Sequence, residues 1–113
     1  MALAALGVTL AVETPIVVLW LRRLGAPPVR TALICVLVNV ATQPLLYWTV
    51  AHTVTPWAET LAGAEVVVWI VEALAYLALT PALRRTSRPL VTALAVSLVA
   101  NAASVSIGLL LPF

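Results

Sequence analysis

The sequence contains no aspartate and no lysine, and only 9% of its residues are charged. A soluble domain is on average about half apolar and about a quarter charged. This chain of 113 residues is 64% apolar, and its mean hydropathy is +1.15. The composition therefore excludes a soluble domain and predicts a membrane protein. The net charge of +2 is too small to indicate nucleic acid as a partner.

Cysteine and histidine are equally scarce. The one cysteine, Cys35, has no partner for an intrachain disulfide, and the one histidine, His52, lies in another part of the chain. Zinc needs several such ligands at set spacings, and a Ser-His-carboxylate triad needs a nucleophile near the histidine. We therefore expect no cofactor and, on balance, no enzymatic activity. An intramembrane enzyme that uses paired glutamates as acid and base is the third function we consider.

Four apolar runs, at about 3–21, 30–50, 61–80 and 89–111, each have the ~17–25 residues that a membrane-spanning helix needs. Gly25 and Pro27 lie between the first two runs, and Pro89 opens the fourth; glycine ends a helix and proline begins the next one. The first run has its arginines after it and none before it, so we expect a retained first helix and no cleaved signal. The predicted fold is an all-α integral membrane four-helix bundle, with one domain over residues 1–113.

The basic residues are all arginines, and they fall in two clusters. These are Arg22, Arg23 and Arg30 after the first run, and Arg84, Arg85 and Arg88 after the third. The middle connection, about 51–60, contains none. The positive-inside rule places both arginine-rich turns in the cytoplasm, and the middle connection and both termini outside. We expect the protein in the cytoplasmic membrane of a bacterium.

The second half of the chain repeats features of the first half in the same order. Glu13 recurs as Glu72, and Asn39-Val40-Ala41-Thr42 recurs as Asn101-Ala102-Ala103-Ser104, at offsets of 59 and 62 positions. Ordered recurrence of this kind indicates an internal duplication. Because each copy is a hairpin that crosses the membrane twice, we expect a pseudo-twofold axis along the membrane normal.

Four strongly polar residues, one from each run, lie at nearly one depth. Glu13, Asn39, Glu72 and Asn101 are within about three residues, or ~5 Å, of the midpoints of their predicted helices. An ionisable side chain at this depth costs ~2.5–3.5 kcal/mol to insert. The glutamates therefore need a compensating role, and we expect each to hold a proton or a cation. In an up-and-down bundle, the helices that carry them are diagonal and their carboxyls face each other.

Helical spacing adds further polar residues to this candidate ion- or ligand-binding site, and leaves open whether it takes a metal. The candidates are Glu13, Asn39, Glu72, Asn101, Thr42, Ser104, Gln43 and Glu65. The amides and hydroxyls have an alternative role, because such residues also hydrogen-bond neighbouring helices together. Glu65 lies two turns outward of Glu72 on the same predicted helix. Together with Glu59 it forms an acidic ladder, a row of carboxyls from the outside to the midplane that could attract protons or cations. The alternative is that Glu59 and Glu65 simply mark the solvated end of the helix.

Two functions follow from these residues. The first is a transporter or channel component for protons, a cation or a small solute; the second is a non-catalytic membrane subunit or assembly factor whose polar residues only pair helices. Side chains fill the thin axis of a four-helix bundle, so we expect a homo-oligomer or a larger membrane complex within the lipid bilayer. A carrier should show a water-reachable cleft at the glutamates. A device that sets helix register should show both carboxyls enclosed and hydrogen-bonded.

Overall fold

The computed structural model describes residues 2–51 and 57–110. Within these ranges the chain is all-α, as predicted, and contains no β-strand. The helices are α1 (Ala2–Arg23), α2 (Pro28–Ala51), α3 (Trp57–Leu79), α4 (Pro81–Arg84) and α5 (Pro89–Leu110). The four long helices coincide with the four apolar runs to within a few residues.

Two boundaries differ from the prediction. The middle connection is shorter than 51–60, because α3 already begins at Trp57; His52 lies outside the described residues. Hydropathy marks the apolar part of a helix, whereas the helix itself continues through polar residues such as Thr60. The short helix α4 was not predicted. It arises because Pro81 has no N–H to donate, so α3 ends at Leu79 and the chain restarts as a single turn.

The long helices form an elongated bundle of 42 × 23 × 20 Å. Helix α1 packs against α2 and α5, and α3 packs against the same two helices. Helices α1 and α3 are therefore diagonal across the bundle axis, as are α2 and α5. This order places the helices of Glu13 and Glu72 on opposite sides of the axis.

The turn between α1 and α2 is closed by a glycine in the left-handed backbone region. Gly25 has a φ of 98°, and the Ala26 N–H donates to the Leu21 carbonyl at 2.9 Å, while the Gly25 N–H donates to the Arg22 carbonyl at 3.0 Å. This pair of bonds is a Schellman motif, which satisfies carbonyls at a helix end. At the end of α3, the Arg84 guanidinium plays a similar role by donating to the Leu77 carbonyl at 3.1 Å.

The buried positions recur at matching intervals in the two halves of the chain. Helix α1 buries Thr9, Glu13, Val17 and Leu21, and the stretch from α3 to α4 buries the corresponding Val68, Glu72, Tyr76 and Thr80. Helix α2 buries Thr31, Ile34, Cys35, Val38, Asn39 and Thr42, and α5 buries the corresponding Ala93, Val96, Ser97, Ala100, Asn101 and Ser104. The first two sets are 59 positions apart and the second two are 62 positions apart. A few further buried residues have no buried counterpart at either offset; these include Gln43, Ala73 and Ala82.

The outer surface of the bundle is apolar. Each long helix exposes large side chains, such as Leu19 (58%), Leu37 (67%), Val67 (58%) and Leu98 (48%). In the described residues, one helix, Pro89–Leu110, is long and apolar enough to cross a membrane, with a mean hydropathy of 2.0. One such helix does not by itself distinguish a membrane span from the core helix of a soluble protein.

The Gly25 turn generates a stability prediction. Gly25→Ala should lower the free energy of unfolding by about 1–2 kcal/mol, because a Cβ disfavours the left-handed backbone. The cost is purely conformational, since an added Cβ would meet no heavy atom within 4 Å. Circular dichroism during denaturant titration in detergent micelles measures the change.

Gly63→Ala is the matched control for this variant. Gly63 lies inside α3 in equally open space and without a positive φ, so alanine there should leave stability unchanged or raise it by up to ~1 kcal/mol. Equal stability of the Gly25→Ala variant and the wild type would show that the left-handed turn contributes nothing.

Candidate functional site

The four residues predicted to share one depth are all buried inside the bundle. Glu13, Glu72 and Asn39 are 0% exposed, and Asn101 is 6% exposed. Glu13, Asn39 and Asn101 lie near the centres of their helices, whereas Glu72 lies about one turn from the centre of α3. This offset arises because α3 begins earlier than predicted. The site is enclosed on all sides by the four long helices.

The Glu72 carboxyl receives hydrogen bonds from both neighbouring helices. The Asn101 Nδ2 group on α5 donates to Glu72 Oε2 at 2.8 Å, and the Thr42 hydroxyl on α2 donates to Glu72 Oε1 at 3.1 Å. Each oxygen of this carboxyl therefore has a donor. Such bonds compensate a buried carboxylate for the water that it has lost.

The Glu13 carboxyl is less completely bonded. The Ser104 hydroxyl on α5 donates to Glu13 Oε2 at 3.2 Å, while Glu13 Oε1 is buried without a hydrogen-bond partner. The carboxyls of Glu13 and Glu72 lie within hydrogen-bonding reach of each other. Two carboxylates can only accept, so their contact becomes a hydrogen bond when one of them carries a proton. The geometry thus suits a pair that shares a proton.

The donors on α2 and α5 occupy corresponding places. Thr42 lies three residues after Asn39 and reaches Glu72, and Ser104 lies three residues after Asn101 and reaches Glu13. Each hydroxyl also approaches a carbonyl of its own helix, Thr42 at 3.5 Å and Ser104 at 3.1 Å. A hydroxyl has one hydrogen, so it donates either to the carboxyl or to the helix. These donors can therefore release the carboxyls without breaking the bundle.

The two asparagines differ in their bonds. Both amides donate to the carbonyl four residues earlier, Asn39 to Cys35 at 2.9 Å and Asn101 to Ser97 at 2.8 Å. Asn101 also donates to Glu72, whereas Asn39 Oδ1 is buried without a partner. Glu13 Oε1 and Asn39 Oδ1 are both acceptors, and they belong to neighbouring helices. The first half of the chain thus leaves two oxygens that a proton or a cation would satisfy.

Tyr76 and Thr14 border the polar site, although neither is among the residues predicted for it. The Tyr76 hydroxyl donates to Cys35 Sγ at 3.4 Å, and the Thr14 hydroxyl contacts the same sulfur at 3.6 Å. Tyr76 lies one helical turn after Glu72 on the same face, and this spacing is the signal that could have revealed it. The Cys35 thiol therefore links α1, α2 and α3 next to the carboxyl pair.

Two of the predicted site residues make no hydrogen bond to the carboxyl pair in the described part of the chain. Gln43 is buried beside Thr42, but its side chain makes no hydrogen bond to either carboxyl in the described residues. Glu65 is half-buried on α3 and makes no such bond either. The side chain of Glu59 lies outside the described residues, so the acidic ladder stays a prediction. In the described part of the chain, no group of three His, Cys, Asp or Glu residues is arranged to hold a metal ion.

The different bonding of the two asparagines generates a prediction. Asn101→Ala should lower the free energy of unfolding by about 1.5–3 kcal/mol, because it removes a donor from the buried Glu72 carboxyl. Asn39→Ala is the matched control and should cost less, since among the described residues its amide donates only within its own helix, to the carbonyl and the sulfur of Cys35. Equilibrium unfolding in detergent micelles compares the two. Equal losses would mean that the Asn101–Glu72 bond adds no stability.

Comparison with known proteins adds no relative. The chain matches no protein-family model, no curated protein and no solved structure. Function is therefore inferred from the residues and their arrangement.

Proposed function

We propose that the chain is an integral membrane protein whose four long helices cross the bilayer. The proposal is supported by the distribution of side chains, because large apolar groups face outward while carboxyls, amides and hydroxyls lie inside. Soluble monomers rarely expose apolar surface continuously around the molecule. The bundle is 42 Å long, which suits the ~30 Å hydrocarbon core of a bilayer with its interfaces.

The proposed orientation rests on the arginines. The turn from α1 to α2 and the stretch from α3 to α5 lie at the same end of the bundle, and all six arginines are exposed there. The positive-inside rule assigns this end to the cytoplasm. It assigns both termini to the outside.

We further propose that Glu13 and Glu72 take up and release a proton or a small cation, as the polar centre of a transporter or channel component. The observation that carries this proposal is the contact of two fully buried carboxyls, with Glu13 Oε1 left without a partner. Helix pairing alone needs no carboxyl, because an amide makes the same bonds without an ionisation cost. An excess of buried acceptors is what a proton or a cation neutralises.

The proposed duplication gives the two carboxyls related surroundings. Buried positions recur at offsets of 59 and 62. Each glutamate accepts a hydrogen bond from a hydroxyl group on a helix of the other hairpin. Such an arrangement suits two linked sites around a pseudo-twofold axis. Since side chains fill the axis of a single bundle, conduction would require an oligomer, a larger complex or helix movement.

One observation favours the second function, a membrane subunit or assembly factor whose polar residues set the register of the helices. Both carboxyls are enclosed, and three of their four oxygens accept hydrogen bonds from neighbouring helices. This is the arrangement expected of a register device. A carrier has the same enclosure in its occluded state, so the two functions differ in whether the site exchanges its proton or cation.

Substitution of the glutamates separates these functions. In proteoliposomes with a pH-sensitive dye, Glu13→Gln and Glu72→Gln should each abolish flux while preserving the fold, because glutamine keeps the size and loses the exchangeable charge. Glu65→Gln is the comparison variant, since it makes the same change in α3 at a residue without hydrogen bonds to the pair. The Glu65 charge acts on both carboxyls, so this variant should lower flux, but less than Glu13→Gln or Glu72→Gln does.

Infrared difference spectroscopy supplies a second readout that does not depend on transport. Across about pH 5–9, a carboxyl band should titrate in the wild type and disappear in the double variant. A band that never titrates, together with a wild type that supports no flux, would leave the register device as the function.

Cysteine labelling tests the proposed orientation in a Cys35→Ala background. An impermeant maleimide added outside intact cells should label Ala58→Cys and leave Ser87→Cys unlabelled, because Ser87 lies among the arginines that favour the cytoplasm. Permeabilised cells are the control, in which both positions should react. The opposite pattern in intact cells would reverse the topology.

A further inference from the structure

A cavity of about 220 Å³ lies at the arginine-rich end of the bundle, far from the carboxyl pair along the helices. It is lined by the turn between α1 and α2 and by the junction of α3 with α4. Its polar lining comes from Arg30 and Thr31 of the first hairpin and from Thr80 and Arg85 of the second. Its volume is several times the roughly 30 Å³ that one water occupies in the liquid.

The two arginines of this cavity lack compensating charge. Neither Arg30 nor Arg85 forms an ion pair within residues 2–51 and 57–110, and the sequence has no acidic residue at 14–58 or at 73–113. Arg84 differs from them, because its guanidinium already donates to the Leu77 carbonyl at the end of α3. The cavity therefore has two positive charges, and the described residues supply no anion to neutralise them.

Thr80 provides an independent indication of a ligand. This residue is 3% exposed, and its Oγ1 is buried without a hydrogen-bond partner. It stands at the N-cap of α4 and yet makes no capping bond. The Thr31 hydroxyl, by contrast, is satisfied by the Pro27 carbonyl at 2.8 Å. A buried hydroxyl that serves neither helix nor neighbour normally has a partner that the chain does not supply.

We propose that this cavity binds a phosphate group, held by the guanidinium groups of Arg30 and Arg85 and by the Thr80 hydroxyl. Guanidinium presents its donors in a planar fork that matches phosphate oxygens, and the hydroxyl adds a third donor. The group can belong to an anionic lipid headgroup or to free phosphate. The lipid source rests on the proposed membrane insertion, whereas the phosphate chemistry does not.

Binding of this kind would join the two hairpins. Arg30 belongs to the first hairpin and Arg85 to the second, so one phosphate group would bridge them at the end opposite the chain termini. A ligand that binds only the folded state stabilises it, and the gain in free energy of unfolding grows with the logarithm of the ligand concentration above its Kd. The bundle should therefore unfold at a higher temperature when its ligand is present.

The test uses the full chain in nanodiscs of two compositions. In discs of phosphatidylcholine alone, inorganic phosphate is titrated by calorimetry. In discs with about a fifth of phosphatidylglycerol, native mass spectrometry counts retained lipid, and the unfolding temperature is recorded. Binding in the first experiment identifies free phosphate as a ligand, and binding only in the second identifies the lipid headgroup.

Variants connect the binding to the cavity. Arg30→Gln and Arg85→Gln should each weaken binding by about tenfold or more, and Thr80→Val by severalfold, while Thr80→Ser should keep the donor and the affinity. Arg22→Gln is the matched control, because it removes the same charge from an exposed arginine that does not line the cavity. It should change binding by less than twofold.

Three results would overturn the proposal. They are no binding of either ligand by the wild type, equal weakening by Arg22→Gln and Arg30→Gln, and full binding by the Arg30→Gln variant. Equal weakening would mean that the whole arginine-rich surface attracts anions without a defined site. Glu13→Gln should bind phosphate like the wild type, so the result is independent of the function proposed for the carboxyl pair.

Discussion

The burial of two carboxyls at the centre of a narrow bundle is the constraint on which the rest of the structure depends. A buried carboxyl needs donors or a proton, and in this chain the donors come from α2 and α5. Because α1 and α3 are diagonal, α2 and α5 are the helices that lie beside both glutamates. The order of the helices and the hydrogen bonds of the site therefore depend on each other. A shift of either donor helix by one residue would remove a hydrogen-bond donor from a carboxyl.

Close contact between α3 and α5 makes this bonding possible. The Ser97 hydroxyl donates to the Trp69 carbonyl at 2.9 Å, and the Trp69 indole N–H donates to the Leu94 carbonyl at 2.8 Å. Small side chains such as Ala73 and Ala100 are fully buried, which lets the backbones approach. The two reciprocal bonds lie about one turn from Glu72, so they set the register that brings Asn101 to its carboxyl. Packing and polar bonding thus support the same alignment.

The sequence predicts the four long helices, because the apolar runs have the length of such helices. It also predicts that the glutamates and asparagines lie towards the middle of the helices, because they lie towards the middle of the runs. It does not predict which polar neighbour reaches the site. Thr42 and Gln43 are adjacent and both are buried, but a helix turns by about 100° per residue, and only Thr42 contacts Glu72. The outer face of each long helix is apolar and the inner face contains both apolar and polar residues, so the sequence shows only a small difference in hydropathy between the two faces. Helix α4 was likewise missed, since its single turn depends on the bundle around it.

The two carboxyls have different surroundings in the two halves of the chain. Asn101 bonds to Glu72, while Asn39, at the corresponding place, keeps an oxygen without a partner. Cys35 stands where the second half has Ser97, so a weak sulfur acceptor replaces a hydroxyl beside the first asparagine. Two identical carboxyls would hold a shared proton equally well on either side. Glu72 accepts hydrogen bonds from two donors and Glu13 from one, so the two carboxyls are not equivalent hydrogen-bonding sites. In the proposed exchange site, movement of either hydroxyl back to the carbonyl of its own helix would remove a donor from one carboxyl and change this difference.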